Sequence, residues 1–159
     1  MKRIGFFAGS FDPFTLGHAD IVARALKIFD EVVIGIGTHP TKKPFFTSEQ
    51  RALQIETVYA QEPRVRVVSY SGMTIEAAKQ CGAQFLIRGV RSTSDFEYEQ
   101  SISQINDHLH GPMTVLLFGA QGLLHISSSM VRELLSWNLD VSDYVPSEAP
   151  LLLLLWRQS

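Results

Sequence analysis

Gly9-Ser10-Phe11-Asp12-Pro13-Phe14-Thr15-Leu16-Gly17-His18 joins an apolar, strand-like run to a helical one. Residues 4–7, Ile-Gly-Phe-Phe, read as a buried strand, and residues 19–29 carry Ile21, Val22, Ala25, Leu26 and Phe29 at helical spacing. A strand-to-helix turn brings a helix's free N–H groups and the positive end of its dipole to the carboxyl end of a sheet, where α/β proteins bind phosphates. Ser10 and His18 put a small hydroxyl and an imidazole at this join, so the turn is the expected active site.

The same alternation continues outward. Residues 32–36 read as a second strand, and Thr47-Ser48-Glu49-Gln50 as a capping box opening a helix to about Tyr59. A third strand is expected over 65–70, a short helix over 74–81 ended by Gly82, and a fourth strand over 85–87. Ser94-Asp95-Phe96-Glu97 reads as a second capping box, whose helix runs to about His110 before Gly111-Pro112 stops it. A fifth strand over 114–118 and a last helix over 127–137 complete the series. The pattern predicts an α/β, Rossmann-like, doubly wound and mostly parallel five-stranded sheet with right-handed crossovers, in a single domain spanning 1–159. Segments 9–18, 38–46, 71–74, 88–95 and 119–129 then fall at the strand carboxyl ends, where ligands bind.

Composition bounds the function. The chain has 159 residues, 45% of them hydrophobic and 19% charged, an ordinary range for a folded domain and far from that of disordered chains. A domain of this length buries roughly 70% of its unfolded surface, so the core needs no staple. A net charge of −2 gives no global cationic field, which disfavours nucleic acid as the partner. Cys81 has no cysteine to pair with and reads as a small hydrophobe; with no secretory signal at the amino terminus, a cytoplasmic location is expected. The apolar run 151–156 is far shorter than the ~20 residues that span a bilayer, so no membrane partner is expected. That run is expected to pack on the core or on a neighbouring subunit.

The five loops carry mostly hydrogen-bond donors: Ser10 and His18, Lys42 and Lys43, Arg88 and Arg91, and Ser127-Ser128-Ser129 at a helix start. Lysine and arginine bind phosphate through charge-assisted bonds, and a serine run at a helix N-terminus adds hydroxyls to free amides. The expected ligand therefore carries several phosphates. The first turn has neither a P-loop nor a Gly-x-Gly-x-x-Gly fingerprint, and no Gly-x-Ser-x-Gly elbow marks a hydrolase nucleophile. His108 and His110 have metal-pair spacing but no supporting ligands, and read as a surface pair; Asp12, before Pro13, reads as shaping the turn. No metal site on the protein is expected.

Several segments, in order along most of the chain, resemble the phosphopantetheine adenylyltransferase family: Ser10-Phe11-Asp12-Pro13 with Thr15-x-Gly17-His18, Lys42-Lys43-Pro44, Ile87-Arg88-Gly89-Val90-Arg91, Asp95-Phe96-Glu97-Tyr98-Glu99 and Ile126-Ser127-Ser128-Ser129. The Thr-x-Gly-His element marks the wider nucleotidyltransferase superfamily, and the block from Arg88 to Glu99 is the more specific part. The resemblance implies that 4′-phosphopantetheine attacks the α-phosphorus of Mg-ATP, giving dephospho-coenzyme A and pyrophosphate, in a cytoplasmic homohexamer. It implies catalytic roles for His18, Lys42 and Arg91, and phosphopantetheine binding by Ser10, Lys42, Thr74 and Arg88. It assigns the nucleotide to Ser10, Phe11, His18, Gly89, Val90, Arg91, Glu99, Leu123, Leu124, His125, Ile126, Ser127, Ser128 and Ser129, with Mg²⁺ carried on ATP. The chain departs from the family pattern at Ser10, where threonine is common, and across 119–125, where Met-Pro-Ser and an aromatic residue are usual.

The residues agree with that chemistry. A phosphate monoester has a second pKa of about 6, so its attacking oxygen is ionised at neutral pH and needs no general base. What remains for the protein is to align two polyanions and stabilise the charge that develops in transfer. Two other readings share parts of the pattern. A nucleotidyltransferase acting on nicotinamide mononucleotide or glycerol phosphate shares the first-turn motif, and a non-catalytic nucleotide-binding module shares the fold.

Overall fold

The computed structural model describes residues 1–147. Its central strand, β1 (Ile4–Gly9), carries Phe6, Phe7 and Ala8, all buried, so side chains on both faces of the strand are packed. A strand buried on both faces reads as a continuous apolar run, as the interior of a parallel sheet does. Around it lie β2 (Glu31–Thr38), β3 (Val65–Ser71), β4 (Phe85–Val90) and β5 (Met113–Phe118), in the order β3-β2-β1-β4-β5 with every pair parallel. The helices are α1 (Leu16–Ala25), α2 (Ser48–Val58), α3 (Thr74–Gln80), α4 (Thr93–His108) and α5 (Ser128–Ser136).

Two clusters sandwich the sheet. Phe7, Ile34, Ile36 and Ile87 pack with Ile21, Val22 and Ala25 of α1 and Ile55 of α2. Phe6, Ala8 and Val33 pack with Ala77 and Ala78 of α3 on the other face. A third cluster joins Phe46 to Val131 and Leu135 of α5 and to Val141 and Val145. The chain winds outward from β1 through β2 to β3, then crosses back to β4 on the opposite side of β1. This reversal opens a crevice at the carboxyl ends of β1 and β4, the usual ligand position in such sheets.

The expected elements are all present, with shifted ends. α1 begins at Leu16, three residues earlier than the apolar periodicity suggests, because Thr15 caps it, and His18 therefore lies within its first turn. β4 continues through Arg88 to Val90, paired with Leu116, Leu117 and Phe118 of β5, so Arg88 stands on a strand and not in a loop. The Thr47–Gln50 capping box forms as expected, with Gln50 N donating to Thr47 Oγ1 at 3.2 Å and Thr47 N to Gln50 Oε1 at 2.9 Å. The second expected box does not. Ser92, two residues before Ser94, caps α4 by accepting from Asp95 N at 3.2 Å, and Asp95 turns its carboxylate back to Arg91 N. Gly82, at φ +73°, follows α3 as expected.

Cys81 is half-buried against the Phe6 cluster, and His108 and His110 are exposed. No helix among the described residues is long and apolar enough to cross a membrane. The apolar run 151–156 lies outside the described residues.

Gly35 of β2 lies against the fully buried ring of Phe6, which a Cβ at that position would strike. Gly35→Ala is therefore expected to overpack the core and lower stability by about 1–3 kcal/mol, read as a lower urea midpoint with an unchanged slope.

Candidate active site

The first turn is buried yet forms no regular structure: Phe11, Asp12, Phe14 and Thr15 are all buried, and Phe11 holds φ +48°. Its peptide groups must therefore find partners among neighbouring side chains. Ser10 O accepts from Arg51 Nη1 at 2.6 Å, Asp12 O from Arg132 Nη1 at 2.7 Å and Pro13 O from Ser128 Oγ at 2.8 Å. The buried amide of Gln54 takes both groups of Phe14, accepting from its N–H and donating to its carbonyl, each at 2.9 Å. Leu16 N donates to Tyr144 O at 2.9 Å. Asp12 shapes the turn as expected, its carboxylate accepting from Phe45 N and Phe46 N, both at 2.8 Å.

His18 occupies the third position of α1 and closes a reciprocal cap. Its N–H donates to Thr15 Oγ1, while Thr15 N–H donates to His18 Nδ1 at 3.0 Å. With Nδ1 accepting a backbone proton, the neutral ring carries its own proton on Nε2. Phe7, Phe11 and Phe14 surround it, with ring centroids 6.2, 5.0 and 5.4 Å away. Burial among these rings, with a smaller push from the Arg91 charge, lowers the imidazole pKa from 6.5 to about 4. At neutral pH His18 is an uncharged hydrogen-bond donor.

A cavity of about 380 Å³ opens at the β1/β4 crevice. It brings together Ser10, Phe11, His18, Arg88, Gly89, Arg91, Glu99, Leu123, Leu124, Ile126, Ser127, Ser128 and Ser129 from the expected set. Four expected residues are not on its wall. Lys42 is exposed on the loop after β2, and Thr74 starts α3 with its hydroxyl 2.8 Å from that of Tyr70. Val90 is buried at the end of β4, and His125 is exposed.

Arg88 and the buried Glu99 form a two-point fork, Nε to Oε2 at 2.9 Å and Nη2 to Oε1 at 2.8 Å, while Nη1 donates to Ala8 O at 3.0 Å. Burial works against the Arg88 charge, but the bonds to Glu99 outweigh it and hold the guanidinium pKa above its ordinary value. Arg91 joins two segments through Asp95 and Ile126 O, the latter at 3.2 Å. Ser127 caps α5 by accepting from Met130 N at 3.1 Å, and Ser129 Oγ accepts from Arg132 Nη2 at 3.1 Å. The cations and the helix N-termini suit a polyanion.

Asp20 and Arg132, which no sequence motif names, also line the cavity, as does Thr15 of the Thr15-x-Gly17-His18 element. Arg132 follows Ser129 by one helical turn, and that spacing was the available signal. Asp20 accepts from Arg24 Nε and from Ala120 N, each at 2.8 Å, so it ties α1 to the loop after β5. The wall also includes Gly17. A Cβ there would meet Thr15 Oγ1 at 3.5 Å and Ile126 O at 3.6 Å, ordinary contacts, so the protein itself leaves room for a side chain.

A family model described as cytidylyltransferase-like matches residues 6–134. Curated relatives named phosphopantetheine adenylyltransferase include one from Porphyromonas gingivalis, 54% identical over 145 residues, or 91% of this chain and 95% of the relative. The Bacteroides thetaiotaomicron relative of the same name is 46% identical over 91% of this chain and 95% of its own length. That of Lachnoclostridium phytofermentans is 44% identical over 91% of this chain and 90% of its own length.

Two outcomes follow from this geometry. Gly17→Ala should fold with a thermal midpoint close to the parent's, while calorimetric affinity for ATP, the nucleotide expected from the sequence, falls by about tenfold or more, since the added methyl takes up room on the cavity wall. Ring-proton NMR should show His18 titrating near pH 4. Because that folded value lies below 6.5, the unfolded chain is the better proton acceptor between the two, and folding stability should fall as pH drops from 6.5 toward 4.

Proposed function

The chain belongs to the cytidylyltransferase-like family and, within it, to the phosphopantetheine adenylyltransferases, and from that membership we infer that it transfers AMP from ATP to 4′-phosphopantetheine. The products are dephospho-coenzyme A and pyrophosphate, and the reaction belongs to coenzyme A synthesis. A phosphate oxygen of the acceptor forms the new bond to the α-phosphorus as the bond to pyrophosphate breaks. The acceptor phosphate, with a second pKa of about 6, is already an oxyanion at pH 7, so no protein base is required.

The observation that carries the mechanism is the locked, uncharged His18 on the cavity wall. An imidazole with a pKa of about 4 is a weak base, and its one remaining proton, on Nε2, is suited to donate to the α-phosphate oxygens as charge develops there. Arg91, with Ser127, Ser128 and Ser129 at the start of α5, holds the ATP phosphates; Gly89, Val90, Leu123, Leu124, His125 and Ile126 complete the nucleotide site with Phe11. Arg88, oriented by Glu99, binds the acceptor together with Ser10, Thr74 and Lys42. Lys42 reaches the acceptor phosphate from its exposed loop.

The substrate is Mg-ATP, its Mg²⁺ carried on the phosphates, where it screens the charge of the leaving group. Asp20, Asp95 and Glu99 on the cavity wall are each paired with an arginine, which supports a cation that arrives with the nucleotide. The chain acts as one nucleotidyltransferase domain in the cytoplasm and assembles as a homohexamer. Exposed Phe96, Tyr98, Ile105 and Leu109 in and after α4, with Met113 and Phe118 on the edge strand β5, support an assembling face.

Incubation with Mg-ATP and each acceptor in turn should release pyrophosphate with phosphopantetheine and not with nicotinamide mononucleotide or glycerol phosphate. Release with none of them would make the chain a binding module. His18→Ala should lower turnover by about 10² to 10³ while the KM for ATP changes little. Light-scattering mass in solution checks the hexamer.

A further inference from the structure

Arg51 lies in the first turns of α2, is only 3% exposed, and does not line the cavity. Its partners are carbonyls from two separate segments. Nη1 donates to Ser10 O at 2.6 Å, and Nε donates to Phe46 O at 3.1 Å and Thr47 O at 3.3 Å. Helical side chains lean toward the helix N-terminus, which is how a residue of α2 reaches back to the chain preceding its own cap. Asp12 works on the same stretch from the other side, accepting the amides of Phe45 and Phe46. Between them, an anion takes the N–H groups and a cation the C=O groups of the segment that closes the Lys42 loop.

The other arm of this staple is the carbonyl of Ser10, a residue of the cavity wall. Lys42 lies three residues before Phe45, so its backbone stays within about 11 Å of a fixed point. Burying a guanidinium is costly, and its rigid fork is what a single lysine ammonium cannot reproduce at two separated acceptors. We propose that Arg51 is a positioning residue for the transfer: it fixes the Lys42 loop to the first turn so that the Lys42 ammonium and the Ser10 hydroxyl meet one acceptor phosphate. The inference rests on Lys42 binding that phosphate, as in the proposed function.

A double-mutant cycle on the full chain tests it, with Lys42→Ala, Arg51→Lys and the pair assayed for kcat/KM toward phosphopantetheine at saturating ATP. Each single change is expected to cost about tenfold or more, and the pair no more than about twofold beyond Lys42→Ala alone, since a residue acting through Lys42 has nothing left to position. The KM for ATP should stay within about twofold. Losses that multiply overturn the role of Arg51 while leaving that of Lys42 standing. A harmless Lys42→Ala overturns the reading of Lys42 and the inference with it. Should Arg51→Lys fail to fold, Asp12→Asn, which weakens the same staple from its other side, replaces it in the cycle with the same expected non-additivity.

Discussion

A buried stretch of chain without regular structure has to find a partner for each peptide group, and the turn from Ser10 to Leu16 meets that demand by drawing on almost every element near it. Arg51 and Gln54 come from α2, Ser128 and Arg132 from α5, a carbonyl from Tyr144, and His18 from the helix the turn itself opens. Satisfying the backbone thereby fixes the site. The bond that completes the cap of α1 is the same bond that sets the His18 tautomer, so the helix cannot begin in this way without also presenting an Nε2 proton.

The cationic side chains follow a related logic. Arg88 is held by Glu99 and Ala8 O, Arg91 by Asp95 and Ile126 O, and Arg132 by Ser129 and Asp12 O. Each is oriented before any ligand arrives, and preorganised charge does not have to be rearranged during transfer. The cost is that the buried Glu99 depends on Arg88, since removing the partner of a buried charge strands it.

Most of the fold could be read locally. Alternating apolar periods, the Thr47–Gln50 box and Gly82 mark elements through neighbours a few residues apart, and the structure places all five strands and five helices accordingly. The ends were harder to read. Arg88 looks like a loop residue because it is charged, yet ladder pairing with β5 carries β4 past it; Ser92 wins the α4 cap from Ser94 by bonding Asp95 N. The site's supports were the least legible part. Ser10 meets Arg51 across 41 positions, Ala120 meets Asp20 across 100 and Asp12 meets Arg132 across 120, and no local pattern announces such pairs.

The Asp20 bond to Ala120, like the bonds that hold the first turn, grips its target by the main chain, here in the loop after β5. Any residue except proline offers that same N–H. The bond therefore constrains where the chain of this loop passes the crevice without constraining the side chain at position 120. A tether indifferent to side-chain identity leaves that wall free to drift toward a different fit, without disturbing the imidazole two residues before Asp20 on the same helix.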